Sequence, residues 1–347
     1  MSTPTVRGQG SAAARWLAGA TLAGTVLGKV PATHGLEHKH RQTGNTVKPK
    51  TQELMLAAWR AGKVIPAFNI PYLPIMKAVV CALRDTNTFA LVQVARPEWE
   101  KFEARSLRAI RQEYERVKDE RYTRLHLDHV PVLDEDGLPV DFEAIIAEAV
   151  DLGYESVMVD GSRLGLEENI QATRKVVKMA HDAGIPVEAE LGMVLGHEAD
   201  PLPPYEELFE SGRGFTDPAE AGRLVAETGA DWLSVAIGNI HGAISGAARS
   251  QKKVEARLDI AHLDKIQEAA PVPLVLHGGS GIRKEYLRQA FGHGVAKINI
   301  GTTIRQAYEA HRSQSQSAAC QRVYDAVVNL LVTQLEVAGS AAAIQPQ

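Results

Sequence analysis

Three observations predict an α/β fold with a parallel eight-stranded core, the closed (β/α)8 TIM barrel. There are eight short runs rich in Val, Ile and Leu, amphipathic stretches separate them, and each run ends on polar residues. The runs are VIPAFNI (64–70), FALVQVA (89–95), RLHLDHV (124–130), SVMVDGS (156–162), VEAELG (187–192), WLSVAIG (232–238), PLVLHGG (273–279) and KINIGT (297–302). Such nearly continuous apolar runs suit strands covered on both faces. The stretches between them, among them EENIQATRKVVKMAHDAG, DPAEAGRLVAETG and RKEYLRQAFGHG, place apolar residues at helical spacing and stop at glycine. An open, doubly wound sheet is the competing arrangement, but no GxGxxG follows the first run.

Residues 49–340 are read as one barrel domain, 341–347 as a C-terminal tail, and 1–48 as a poorly ordered N-terminal extension. The extension is rich in Ala, Gly, Thr, Lys and His, and its apolar run RWLAGATLAGTVLG is too short to span a bilayer. With 347 residues, 45% of them apolar and 23% charged, the composition is that of a globular protein. A net charge of -4 argues against nucleic acid or anionic membrane as a partner. The two cysteines, Cys81 and Cys320, form no metal-ligand spacing and no disulfide framework, so a cytoplasmic location is expected.

The run ends carry the chemistry. Asn69, Gln93, Asp128, Asp160, Glu190, Asn239, His277 and Asn299 all lie at or just past them, and a barrel collects strand ends on one rim. His129, His241 and His277 hold comparable positions, and three imidazoles with an open fourth position make a catalytic zinc set. The competing reading is three unrelated loop histidines. Asp128, beside His129, could move a proton to or from a substrate hydroxyl. His126, two residues earlier, shares its strand face and is read as a supporting residue. Asp160 and Glu190 suit a second metal position or the orientation of ligands. Glu198 lies in a glycine-containing loop and could shuttle a proton. Gly278, Gly279, Ser280 and Thr302 lie in the loops after the last two runs, where barrels bind phosphate, and Gly242 adjoins a candidate ligand.

In order, the segments AFN, HLDH, VMVDGS, VEAELG, AIGNIHG, VLHGGSG and KINIGT resemble the class II, metal-dependent fructose-bisphosphate aldolase family, including its tagatose-bisphosphate relatives. The resemblance implies a barrel enzyme with Zn2+ held by His129, His241 and His277. It implies that Asp128 exchanges a proton with the C4 hydroxyl, that Glu198 shuttles protons, and that Asp160 and Glu190 form an alternate or second metal site. It assigns the dihydroxyacetone phosphate half to Gly242, Gly278, Gly279, Ser280, Asn299 and Thr302, with a monovalent cation near the phosphate.

The implied reaction is reversible cleavage of a ketose (bis)phosphate, fructose 1,6-bisphosphate first, to dihydroxyacetone phosphate and glyceraldehyde 3-phosphate through a zinc-stabilised enediolate. A different ketose 1-phosphate, tagatose 1,6-bisphosphate, or a non-catalytic metal- or phosphate-binding relative are the alternatives. A homodimer or larger homo-oligomer is implied. The pattern departs from the family at Ala95, Val130, Leu195, Ala199, Ile244 and Ser245, mostly where the aldehyde half would bind. Lys297, within its run, is expected to face away from the rim.

Overall fold

The computed structural model describes residues 50–194, 203–240 and 256–345. Eight parallel strands close into a barrel in sequence order, β1 to β8, with β8 pairing back onto β1. They are β1 (Ile65–Asn69), β2 (Ala90–Val94), β3 (Thr123–Pro131), β4 (Ser156–Asp160), β5 (Val187–Leu191), β6 (Trp232–Val235), β7 (Leu274–Leu276) and β8 (Val295–Ile300). Each falls on a predicted run. Among the helices are α1 (Thr51–Arg60), α2 (Ile75–Asp85), α3 (Arg96–Glu100), α4 (Leu107–Val117), α5 (Phe142–Asp151), α6 (Leu166–Asp182), α7 (Tyr205–Ser211), α8 (Pro218–Thr228), α9 (Ile260–Ala269), α10 (Lys284–Phe291), α11 (Thr302–Glu309), α12 (Gln316–Asn329) and α13 (Ser340–Ile344).

The period-2 alternation of strand side chains divides the core in two. Outward-facing Val92, Leu127, Val159, Ala189, Val235 and Ile298 pack beneath the helices in the larger apolar cluster. Inward-facing Ile65, Ala67, Leu91, Trp232 and Val275 fill the lower barrel in a second cluster. This cluster is stoppered by Leu54 and Met55 of α1 and by Ala341 and Ile344 of α13. Residues 341–344, set apart from sequence as tail, thus supply two buried side chains. Higher in the barrel the inward positions turn polar: Gln93, His126, Glu188, Ser234 and Lys297, then Asn69, Asp128, Glu190, His277 and Asn299, are all buried. No helix among the described residues is long and apolar enough to cross a membrane.

Candidate metal and catalytic site

The strand β3 sets the site. A regular strand cannot point Asp128 and His129 to the same side, because neighbours alternate. Here the pairing of β3 with β4 slips between Leu127 and Val130, so that β3 carries one residue more than its partner. Within that bulge His129 takes a left-handed backbone, with φ +37°. A bulge re-aims a side chain, and both groups line the same cleft. His126 stays one layer below, its Nδ1 2.9 Å from Ser156 Oγ.

The carboxylate of Asp128 is held from both sides. Asn69 Nδ2 donates to Oδ2 at 3.0 Å and Asn299 Nδ2 to Oδ1 at 2.9 Å. Gln93 in turn donates to Asn69 Oδ1 at 2.8 Å. Polar ends of β1, β2, β3 and β8 thus form one hydrogen-bonded chain. Burial pushes the Asp128 carboxyl up, but Lys297 and three imidazoles outweigh it, and the net shift is well below the usual carboxylate range. Asp128 is therefore an ionised base.

Two of the three expected imidazoles are described. The rings of His129 and His277 lie 4.3 Å apart, centroid to centroid. His277 Nε2 sits 2.9 Å from Glu188 Oε1. A carboxylate only accepts, so Nε2 carries the proton. That leaves Nδ1 to face Glu190 Oε2 at 3.2 Å, and this buried oxygen makes no hydrogen bond. His129 Nδ1 lies 3.4 Å from Asp160 Oδ2 and 3.8 Å from Glu190 Oε2. Ser162 fixes Asp160 by donating Oγ to Oδ1 at 2.6 Å.

A nitrogen and a carboxylate oxygen this close share a positive charge, either a proton on Nδ1 or a metal ion. Donor atoms of Asp128, His129 and His277, and of His129, Asp160 and Glu190, fall into groups within 4.8 Å of one another. Imidazole nitrogens and carboxylate oxygens in such groups fit a divalent ion. The electrostatics express the same demand. Burial works against charge on His129, but Asp128, Asp160 and Glu190 prevail and raise it to about 10. Burial and Asp160 raise Glu190. His241, Gly242 and Glu198 lie outside the described residues.

Beneath this layer, two groups that the sequence reading did not assign to the site support it. Glu188 Oε2 accepts from Lys297 Nζ at 2.7 Å, while Lys297 also lies 3.6 Å from Asp128 Oδ1 and 3.4 Å from His126 Nε2. Lys297 does not face away from the rim: it points into the barrel directly under it. Burial opposes ionisation of Glu188, but Lys297, His277 and His126 hold it at about 2. Each stands two residues before a polar strand-end group, Glu190 or Asn299, and so shares its face of the strand. A further carboxyl, Glu98 of α3, lines the cleft and accepts from Ala95 N. Burial and the Asp128 charge push it up to about 8.

The cleft has a volume of about 510 Å³. Gly278, Asn299 and Thr302 line it, along with Gly301. Gly278 adopts φ +72°, a conformation suited to glycine, as it leads into the turn Gly279–Gly281. Gly279 packs against β8 instead of lining the cleft: a Cβ there would meet Ile298 at 2.6 Å. Ser280 lies in the same turn.

Residues 49–342 match the family described as fructose-bisphosphate aldolase class-II. The chain belongs to this family. A fructose-bisphosphate aldolase of Geobacillus stearothermophilus is 33% identical over 264 residues, 74% of this chain and 82% of that one. One from Streptococcus pneumoniae is 40% identical over 185 residues, 53% of this chain and 54% of that one. One from Staphylococcus epidermidis is 38% identical over 178 residues, 51% of this chain and 54% of that one. The chain thus aligns with about half the length of the last two. Among solved structures, the YdjI aldolase from Escherichia coli K12 superimposes with a TM-score of 0.64 at 26% identity, covering 85% of this chain and 98% of that one.

Proposed function

We propose that this protein is a zinc-dependent aldolase that reversibly cleaves a ketose phosphate to dihydroxyacetone phosphate and an aldehyde. The observation that carries the reading is the convergence of ligand atoms from Asp128, His129 and His277, and from His129, Asp160 and Glu190, into groups within 4.8 Å. His129 and His277 would hold the ion, with His241 as the third ligand, and Asp160 and Glu190 would offer an alternate position. When bound, the ion supplies Lewis acidity toward the substrate ketone oxygen.

The chain's own groups do the rest. Asp128, ionised and pinned by Asn69 and Asn299, takes the proton of the C4 hydroxyl as the C3–C4 bond breaks, and returns it in the condensation direction. Glu198 would move the proton at the carbon left on the dihydroxyacetone phosphate half. Gly278, Thr302 and the N-terminus of α11 would seat the phosphate, since helix N-termini and glycine turns present N–H groups to anions. Ser280 and Gly242 would complete that seat.

Since the relatives are named for a fructose bisphosphate, fructose 1,6-bisphosphate is the first substrate to test, and tagatose 1,6-bisphosphate the second. Chelator treatment should abolish cleavage and Zn2+ should restore it. Asp128→Asn should keep the metal while slowing cleavage by about a hundredfold or more. Full cleavage by metal-stripped protein would sink the reading.

A further inference from the structure

We propose, resting on the aldolase reading, that Arg163 is the specificity residue for the far end of the substrate: its guanidinium receives the second phosphate of a ketose bisphosphate. Nothing in the cleavage chemistry described above uses this side chain.

The turn between β4 and α6 holds a fixed position. Ser162 donates to Asp160 Oδ1 twice, from its backbone N at 3.0 Å and from Oγ at 2.6 Å. Leu164 N donates to Gly161 O at 2.9 Å, which closes a four-residue turn with Arg163 third in it. Asn169 of α6 packs so closely under the turn that a Cβ on Gly161 would meet its Oδ1 at 2.2 Å, and its Nδ2 donates to Glu190 O at 2.9 Å. The turn is thus fastened to β4, α6 and β5. Its arginine stands exposed on the wall of the cleft.

Arg163 makes no hydrogen bond and no salt bridge among the described residues, and in this it differs from the other Arg and Lys side chains of the described cleft wall. Arg96 Nε is 2.6 Å from Glu100 Oε1, Lys101 Nζ is 3.6 Å from Glu135 Oε1, and Arg305 Nη1 is 2.8 Å from Glu309 Oε2. The acid three residues before it, Asp160, is engaged by Ser162 and His129. An arginine presented by a fixed turn, with no carboxylate to displace, is prepared for an anion, and its planar fork matches phosphate.

The position is also the right one. In the closed eight-stranded ring, β4 lies four strands from β8 in either direction. A substrate whose first phosphate is seated at Gly278 and Thr302, and whose C4 hydroxyl meets Asp128 of β3, runs from the β7 and β8 side across the barrel. The carbons beyond C4 then leave over β3 and β4, toward Arg163.

The test uses the zinc-loaded full chain. Three readouts are compared: cleavage of fructose and tagatose 1,6-bisphosphates, cleavage of the corresponding 1-phosphates, and solvent exchange of a dihydroxyacetone phosphate C–H proton. Arg163→Ala should lower kcat/KM for the preferred bisphosphate at least about tenfold more than it lowers monophosphate cleavage or exchange, the size expected for one lost charge-assisted contact. Arg163→Lys, which keeps the charge without the fork, should recover part of that loss. Equal losses in all three readouts would overturn the proposal, as would unchanged bisphosphate cleavage, or a bisphosphate-specific loss in Arg305→Ala but not in Arg163→Ala. A preference of the unmodified enzyme for monophosphates would overturn it and leave the aldolase reading standing. Absence of both exchange and cleavage would overturn both.

Discussion

The least forgiving residues are not those that meet substrate. Glu188 and Lys297 are fully buried, and each neutralises the other while serving a second group above: Glu188 holds His277, and Lys297 lies beside Asp128. Removing one partner of a buried pair strands the other charge, which costs about 3–5 kcal/mol. Glu188→Ala should therefore lower unfolding free energy by that amount in urea titrations. Glu188→Gln, which keeps an acceptor for His277 Nε2 but loses the ion pair, should fold and weaken zinc binding by about 10- to 100-fold, the usual effect of disturbing a ligand's hydrogen-bond partner. Unchanged zinc affinity in the Gln variant would show that His277 orients itself. These two residues were hard to read from sequence because VEAELG and KINIGT look like apolar strands with stray charges. Only the closed barrel reveals that alternate positions from β3, β5 and β8 converge. Asp128, His129, Asp160, Glu190 and His277 were legible because they stand at run ends, where barrel geometry concentrates polar groups.

At the scale of elements, strand existence was legible throughout, but local irregularity was not. Nothing in TRLHLDHVPVL marks the slip between Leu127 and Val130, and strict alternation would have sent His129 to the outer face. The bulge carries a backbone penalty, since a left-handed conformation costs a non-glycine residue roughly 1–2 kcal/mol. His129, at φ +37°, bears it, and such strain persists where the surroundings over-determine it. The consequence is measurable. His129→Gly and His129→Ala both delete the imidazole and should both impair zinc binding. The Gly variant, free of the Cβ conflict, should be the more stable by about 1 kcal/mol in metal-free chemical denaturation. An Ala variant as stable as the Gly variant would mean that the bulge relaxes once the ring is gone. Glu98 escaped the sequence reading for a related reason: it sits in α3, a one-turn helix placed over the cleft by the β2 connection, with no strand periodicity to flag it.

For the whole molecule, the rim holds more carboxylate than its described imidazoles and Lys297 balance, and a cation there should govern stability as well as chemistry. In metal-free protein the compensating charge is a proton. His129 is raised to about 10 and His277 is raised as well, chiefly by Asp128, Asp160, Glu188 and Glu190 acting against burial. A folded-state value above the unfolded value of about 6.5 means that the folded chain binds the proton more tightly. The associated stability is fully present below about pH 6.5 and is lost as pH rises toward about 10. Metal reverses the sign, because ligands must shed protons to bind it and affinity grows with pH. Thermal melts of chelator-treated protein should therefore fall steadily between pH 6.5 and 9.5, while zinc-loaded protein holds or gains over the same interval, so that the gap in Tm widens with pH. Parallel curves for the two forms would show that the imidazoles titrate without the ion's involvement.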